Sequence, residues 1–246
     1  MFKGQVDFAT RIIDAHVSFP LFSSASPLPG VESLELACTS GDGLVATVQI
    51  ARTASAEAGI ALAKDALELA LSRVAYFCGA VIESARLTGS QFEPIDPAHG
   101  YRLLAGTGRI ELTGYPPRIV RGVSTDTLKG QLESPAAPAD TNYGQLRSAR
   151  LSVGPVEEFM HLYAILLGLL GDSQPKVDAF IRLIEPGVQQ SASPIRAAAS
   201  ETVYTRLRNE LAHKRAGVSI ESTKVEMAAE LGGIRRIVCQ AIARYS

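Results

Sequence analysis

Several features that mark particular protein classes are scarce or missing in this chain. Only three cysteines occur among 246 residues, without close spacing, so neither a disulfide framework nor a zinc site is predicted. The most apolar run, residues 162–170, is far shorter than the roughly 20 residues of a membrane-spanning helix. We therefore expect a cytoplasmic protein without a membrane association and without a bound metal.

A strong net charge is also missing. Lysine and arginine number 24 against 25 aspartates and glutamates, so the chain lacks the overall basic field typical of non-specific nucleic-acid binding. It also lacks a glycine-rich nucleotide loop, since the Gly-Thr-Gly stretch at 106–108 is only a turn signal, and no cofactor is expected. Contact with a nucleic acid must be local. Basic residues do cluster in one place, at Arg206, Arg208, Lys214 and Arg215.

The first half of the chain has the pattern of an α+β domain. Alternating apolar residues predict strands over 31–38 and 44–50 with a hairpin turn at 40–43. From the N-cap residue Ser55, helical periodicity continues to about Cys78. These elements predict a mostly antiparallel sheet covered by one long helix. Further short strands are predicted at 81–87, 101–105, 109–113 and 118–123.

Prolines and a loss of periodicity interrupt the middle of the chain. We therefore predict an α+β domain over residues 1–132, a linker over 133–147 and a second domain over 148–246. The helix that begins at Pro155 is apolar nearly all round, so His161 is expected to be a hydrogen-bonded core residue. Four antiparallel helices with short connections predict an all-α bundle. Their starts are predicted at Pro155, at Pro175, after Ser193-Pro194 and at a capping box over 223–226.

The third predicted helix of the bundle ends in residues suited to phosphate chemistry. Arg208 carries a permanently charged fork that matches phosphate, and His213 can carry a proton either way near neutral pH. Asn209 adds a polar amide beside the arginine. Such a group could cut a phosphodiester without a metal.

This pattern, Arg208-Asn209-x-x-x-His213 on the third helix, resembles the motif of the HEPN domain superfamily. Those domains are helical bundles marked by Arg, a polar residue, three variable residues and His. The resemblance covers roughly residues 150–246 and includes an apolar first helix with the segment 159–163. It implies that the second domain is an all-α HEPN-like four-helix bundle. It also implies a metal-independent endoribonuclease that works as a homodimer, with the motif helices of two subunits lining one cleft.

Carried over to this sequence, the resemblance assigns a role to each motif residue. His213 is the general acid or base for the 2′-hydroxyl or leaving-oxygen proton, and Arg208 binds the scissile phosphate. Asn209 orients His213 or the phosphate. The expected products carry 2′,3′-cyclic phosphate ends, and DNA is spared because it lacks the 2′-hydroxyl. RNA binding is expected from the local basic patch of Arg206, Lys214 and Arg215.

Helix geometry adds a constraint to this site. At about 100° per residue, Asn209 and His213 share a face, whereas Arg208 lies roughly 140° around the helix from His213. Two alternatives could bring Arg208 and His213 to one phosphate. Either the helix unwinds near Ala212, or Arg208 acts across a dimer interface, which predicts a homodimer through the helical domain.

A second, vaguer resemblance is to methylamine-utilisation MauJ-like proteins, which also combine an α+β half with a C-terminal bundle. It suggests a non-catalytic dimerisation or nucleotide-binding module, serving as an accessory protein in amine metabolism. The ribonuclease hypothesis predicts an accessible His213 in an electropositive dimer cleft. The alternative predicts a buried His213 or motifs that face away from each other. The sequence leaves open which of these functions applies.

Overall fold

The computed structural model describes residues 1–13, 22–38, 43–96, 103–105, 124–194, 200–213 and 217–246. The chain divides into two compact units, Met1–Arg147 and Ser148–Ser246. In the described part of the chain, no helix combines the length and the apolar character that crossing a membrane requires.

An antiparallel sheet of six strands forms the framework of the first unit, with the strand order β2-β3-β4-β1-β5-β6. The central strand β1 pairs with β4 on one side and β5 on the other, although the sequence analysis assigned no strand to this segment. The strands are β1 (Phe2–Arg11), β2 (Phe22–Ala25), β3 (Val31–Cys38), β4 (Gly43–Thr53), β5 (Arg86–Pro94) and β6 (Leu103–Ala105).

Alternation of side chains gives this sheet one buried face. In β1, Val6 and Phe8 are buried, whereas Gln5 and Asp7, which alternate with them, are only half-buried. The long helix α1 (Ala56–Cys78) packs against the sheet and completes the core. It begins after the predicted N-cap Ser55, whose hydroxyl oxygen accepts a hydrogen bond from the Ala58 amide at 3.2 Å. The predictions of β3, β4 and α1 are therefore confirmed.

Four other strand predictions for the first unit have different outcomes. In place of the strand predicted at 81–87, Ile82 forms an isolated bridge with Ile12, and strand β5 begins only at Arg86. The strand predicted at 101–105 is described only for the three residues of β6. The predicted turn, apart from Gly43, and the strands at 109–113 and 118–123 lie outside the described residues.

The predicted linker at 133–147 is wrong, because it contains most of a helix. Helix α2 (Thr125–Glu133) is followed by α3 (Pro138–Arg150), and the division between the two units falls inside α3. The guanidinium of Arg73 on α1 holds the intervening turn through carbonyl oxygens and the carboxylate of Asp140. Few apolar residues fix these helices, so their periodicity is faint in the sequence.

The described residues of the second unit contain four helices after α3 and one short hairpin. The hairpin makes the all-α prediction wrong, and it also delays α6, which begins at Val203 instead of after Pro194. Ser219 caps α7, while Thr223, from the predicted capping box, donates its hydroxyl to Glu210 Oε2 at 3.0 Å. The elements are α4 (Pro155–Leu169), α5 (Gln174–Ile184), β7 (Gln190–Ala192), β8 (Ser200–Thr202), α6 (Val203–His213) and α7 (Ile220–Tyr245).

Helix α4 contacts α5, α6 and α7, and α7 likewise contacts α4, α5 and α6. The core face of α4 includes Phe159, Leu162 and Leu166, which are fully buried. The helix is amphipathic and not apolar all round, since Glu157 and His161 are exposed. The expectation of a core position for His161 is therefore wrong, although its Nδ1 lies 2.9 Å from the Ser152 hydroxyl.

Candidate functional site

The motif residues all lie on α6, which continues without a break to His213. Val203 and Leu207 are buried, so this side of the helix faces the core of the unit. Because Ala212 is part of the regular helix, local unwinding does not bring Arg208 and His213 together. The first of the two alternatives raised by helix geometry is therefore wrong.

His213 is the last residue of α6, and its side chain is exposed to solvent. No hydrogen bond to its ring occurs within the described part of the chain. The imidazole can therefore meet a ligand that arrives from solution. This accessibility is what the ribonuclease hypothesis requires of a proton-transferring group.

Arg208 is half-buried and is held by its sequence neighbour. Its Nη1 donates a hydrogen bond to Asn209 Oδ1 at 2.9 Å. Asn209 had been expected to orient His213 or the phosphate, but its described contacts are to Arg208, Glu201 and Gln174. The amide therefore acts on the arginine of the motif.

Asn209 is fixed in turn by buried partners. Only 5% of Asn209 and 1% of Glu201 are exposed, and Asn209 Nδ2 donates to Glu201 Oε2 at 2.9 Å. A longer contact of 3.4 Å joins the same nitrogen to Gln174 Oε1. A buried carboxylate is costly unless it accepts hydrogen bonds, so Glu201 strongly favours this orientation of the amide. With Nδ2 turned to Glu201, Oδ1 is turned to Arg208.

A second set of contacts reaches Arg208 through an aromatic ring. The guanidinium carbon of Arg208 lies 5.9 Å from the ring centroid of Tyr163, within the range of a cation–π interaction. The Tyr163 hydroxyl lies 2.8 Å from Thr205 Oγ1, which donates to Asp178 Oδ1 at 2.7 Å. Burial raises the pKa of Tyr163 to about 12, so the phenol stays protonated and donates to Thr205.

Asp178 is the buried anchor of this second set. Its Oδ1 also accepts hydrogen bonds from the backbone nitrogen of Thr202 at 2.9 Å and from the Thr202 hydroxyl at 2.7 Å. Only 3% of Asp178 is exposed. One carboxylate oxygen on α5 thus connects the end of β8 with the first turn of α6. The position of the motif helix is fixed by a charge in the core.

The predicted RNA-binding residues are not equivalent in the structure. Arg206 donates to Glu210 Oε1 at 2.9 Å and also to Glu226. Burial lowers the pKa of Arg206, but hydrogen bonds and charge from both glutamates outweigh it and raise the pKa above its ordinary value. Arg206 therefore carries a charge that two carboxylates offset. Lys214 and Arg215 lie outside the described residues.

Sequence reasoning missed the residues that hold the motif in place. Tyr163 reads as one more apolar position of α4, and Glu201 lies in a hairpin that was not predicted. Asp178 does carry a signal, because it lies on the apolar face of α5 next to Val177 and one turn before Ile181. An acid on a core face indicates buried hydrogen-bond donors.

The arrangement offers an accessible imidazole and an ordered guanidinium on one helix, both suited to a phosphate. Among the described residues, no three His, Cys, Asp or Glu side chains are grouped so that they could hold a metal ion. The chain matches no protein-family model, no curated protein and no solved structure. The likeness to the HEPN superfamily therefore rests on the motif and on its helix.

Proposed function

We propose that this protein is a metal-independent endoribonuclease of the HEPN type, with Arg208, Asn209 and His213 in a composite site between two copies of the second unit. The observation that carries the proposal is the pairing of an exposed His213 with an Arg208 that buried groups hold in place on the same helix. The four helices of the unit form the HEPN-like bundle in this proposal. The hairpin β7–β8 is an addition to it.

The chemistry needs only these side chains, water and the RNA itself. His213 takes the proton of the 2′-hydroxyl, the 2′-oxygen attacks phosphorus, and the bond from phosphorus to the 5′-oxygen breaks. Water gives that leaving oxygen its proton, and the imidazolium of His213 returns its own proton to water. The products are a 2′,3′-cyclic phosphate and a 5′-hydroxyl. Arg208 stabilises the charge that develops on the phosphoryl oxygens, and Asn209 sets its direction.

Helix geometry supports the dimer in this proposal. Arg208 and His213 lie roughly 140° apart around α6. Because the helix is continuous, one copy presents them in different directions. Two copies with facing α6 helices supply Arg208 from one chain and His213 from the other to the same phosphate.

RNA is the proposed substrate, and DNA is not cut, because the attacking group is the 2′-hydroxyl. Arg206, Lys214 and Arg215 contribute positive charge near the strand, with Arg206 partly offset by its two glutamates. The enzyme works in a reducing cytoplasm in this proposal, where its three widely spaced cysteines stay thiols.

A non-catalytic helical module is the second candidate, and one observation favours it. Asn209 and Arg206 are engaged in buried or half-buried contacts that join elements of the unit. In that case the motif stabilises a dimerisation or nucleotide-binding module, for example an accessory protein of amine metabolism. His213 then has no chemical role.

Cleavage of a mixed pool of labelled RNAs in EDTA tests the two candidates. We expect cutting by the native protein, and a loss of at least about 100-fold in His213→Ala, since a general acid or base contributes about that much or more. His161→Ala is the matched control, because His161 is also an exposed histidine on a helix of this unit. It should cut at the native rate.

Mixing two inactive variants tests the composite site. His213→Ala and Arg208→Ala homodimers should both be inactive, whereas a mixed dimer contains one intact site and recovers part of the activity. Cutting that persists in His213→Ala would contradict the assignment of this residue. Absence of cutting by the native protein on every RNA of the pool would favour the non-catalytic module.

A further inference from the structure

Arg208 lies between two arms that both end on a buried carboxylate. The amide arm runs from Arg208 through Asn209 to Glu201. The aromatic arm runs from Arg208 over the Tyr163 ring and through Thr205 to Asp178. The two acids belong to different elements, β8 and α5, and Asp178 joins these elements through its hydrogen bonds with Thr202.

We propose that Tyr163 is a positioning residue that fixes the guanidinium of Arg208 for an oxyanion, and that Asp178 acts through it. This proposal deepens the proposed function and rests on it for the identity of the oxyanion, a phosphodiester. The guanidinium carbon lies over the ring at 5.9 Å from its centroid, and Nη1 donates to Asn209 Oδ1. The remaining N–H groups of Arg208 are the donors for the ligand.

The hydroxyl of Tyr163 gives this ring its fixed place. Thr205 is fully buried, and its hydroxyl accepts from Tyr163 and donates to Asp178. The phenol therefore has a defined partner in the core. An arginine side chain loses much rotational freedom when it binds a ligand. A guanidinium already ordered by a ring and an amide loses less, and binding is tighter for that reason.

The native protein offers an internal comparison for the test. Arg244 also lies over a tyrosine, with its guanidinium carbon 5.8 Å from the ring centroid of Tyr245, but Tyr245 is 47% exposed. NMR of the arginine side chains should show slow guanidinium rotation and strong ring-current shifts at Arg208, and fast rotation at Arg244. Equal mobility of the two arginines would overturn the proposal without any substitution.

Variants then separate the ring from its hydroxyl. Tyr163→Phe keeps the ring over Arg208, and Tyr163→Leu removes it. With inorganic phosphate as the probe, we expect Tyr163→Leu to weaken binding about two- to fivefold, from the size of a cation–π contact, and Tyr163→Phe to weaken it less. In the Arg208→Lys background this factor should shrink, because the ordered guanidinium is gone. Tyr204→Leu is the control, since Tyr204 is equally buried and packs on Phe159.

The outcomes distinguish this proposal from the nuclease assignment. Slow rotation of Arg208 that depends on Tyr163, in a protein that cuts no RNA, would support the positioning role and count against the proposed function. Unchanged phosphate binding and unchanged Arg208 signals in Tyr163→Leu would overturn the positioning role, even if the protein cuts RNA. Equal losses in Tyr163→Leu and Tyr204→Leu would also overturn it, because they would indicate general destabilisation.

Discussion

The two units bury charges of opposite sign. In the described part of the first unit the buried charged side chains are arginines, whereas in the second they are acids. Both sets are well provided with hydrogen bonds, as buried charges must be. The buried charged residues are Arg73 and Arg147 in the first unit, and Glu158, Asp178, Glu201 and Glu210 in the second.

Whether a buried side chain is a cation or an anion determines which groups of the protein it holds in place. A guanidinium has only donors, so Arg73 collects backbone carbonyl oxygens and thereby fixes the course of the main chain between α2 and α3. A carboxylate has only acceptors, so the acids of the second unit collect hydroxyl, amide and guanidinium donors from side chains. Buried cations fix the backbone of the first unit, and buried anions hold side chains of the second unit in place.

The largest effect is expected from removing Arg73. Arg73→Met leaves Asp140 and several carbonyl oxygens without their donor, and breaking such a buried pair costs about 3–5 kcal/mol of the free energy of unfolding. Urea unfolding measures the loss, and hydrogen exchange should rise in α2 and α3. Arg52→Met on β4, where the side chain is exposed, should change stability by no more than about 0.5 kcal/mol. Similar values for the two variants would refute the role given to Arg73.

A smaller effect is expected from Asp178. Asp178→Ala leaves the Thr202 backbone nitrogen and two threonine hydroxyls without an acceptor, at a cost of about 3 kcal/mol. Asp178→Asn keeps a carbonyl oxygen and should cost about 1–2 kcal/mol. Urea unfolding checks this order, with the exposed Glu221→Ala as the control, and hydrogen exchange should localise the loss to α6. If Asn proves as costly as Ala, the charge itself is what matters.

The smallest effect is a loss of stability in alkali. Burial raises the pKa of Tyr163 to about 12 in the folded protein, whereas the unfolded chain titrates near the ordinary value of about 10. The folded state then holds a proton that the unfolded state releases. The stabilisation is therefore present below about pH 10 and is lost as the pH rises to about 12, by about 2–3 kcal/mol.

For the same reason, the first unit is expected to lose stability at a lower pH than the second. Burial, with a smaller contribution from Cys38, raises the pKa of Cys78 to about 11, so its share of stability is lost between about pH 9 and pH 11. Urea unfolding across pH 8–12, followed in each unit by hydrogen exchange, should show this order. Tyr163→Phe should weaken the alkaline loss in the second unit alone, and Cys78→Ala in the first. A loss that neither variant alters would contradict both assignments.

The part of the fold that could be predicted is the part with strong local signals. Strands β3 and β4 have apolar alternation, and α1 has the N-cap Ser55 and helical periodicity. Strand β1 has alternation too, in Val6, Phe8 and Thr10, but only two of these three residues are apolar, so the pattern is weak. Helices α2 and α3 could not be predicted, because a single distant residue, Arg73, fixes the turn between them.

The candidate site divides in the same way. The motif of Arg208, Asn209 and His213 can be recognised in the sequence itself. Its helix was expected from the apolar residues Val203 and Leu207. The hairpin before that helix was missed because Ser, Glu and Thr in three-residue strands carry no apolar pattern.

The sequence by itself determined the alternation that makes the sheet, the apolar stripes of the helices and the spacing that puts Arg208 and His213 on different sides of one helix. These are properties of neighbours along the chain, set by the two- and 3.6-residue periods of the backbone. Only the tertiary structure decided that Asn209 turns to Glu201 and that Tyr163 lies under Arg208. Such contacts join residues far apart in the chain. The partners of a buried charge are the donors or acceptors that packing brings within hydrogen-bond distance of it.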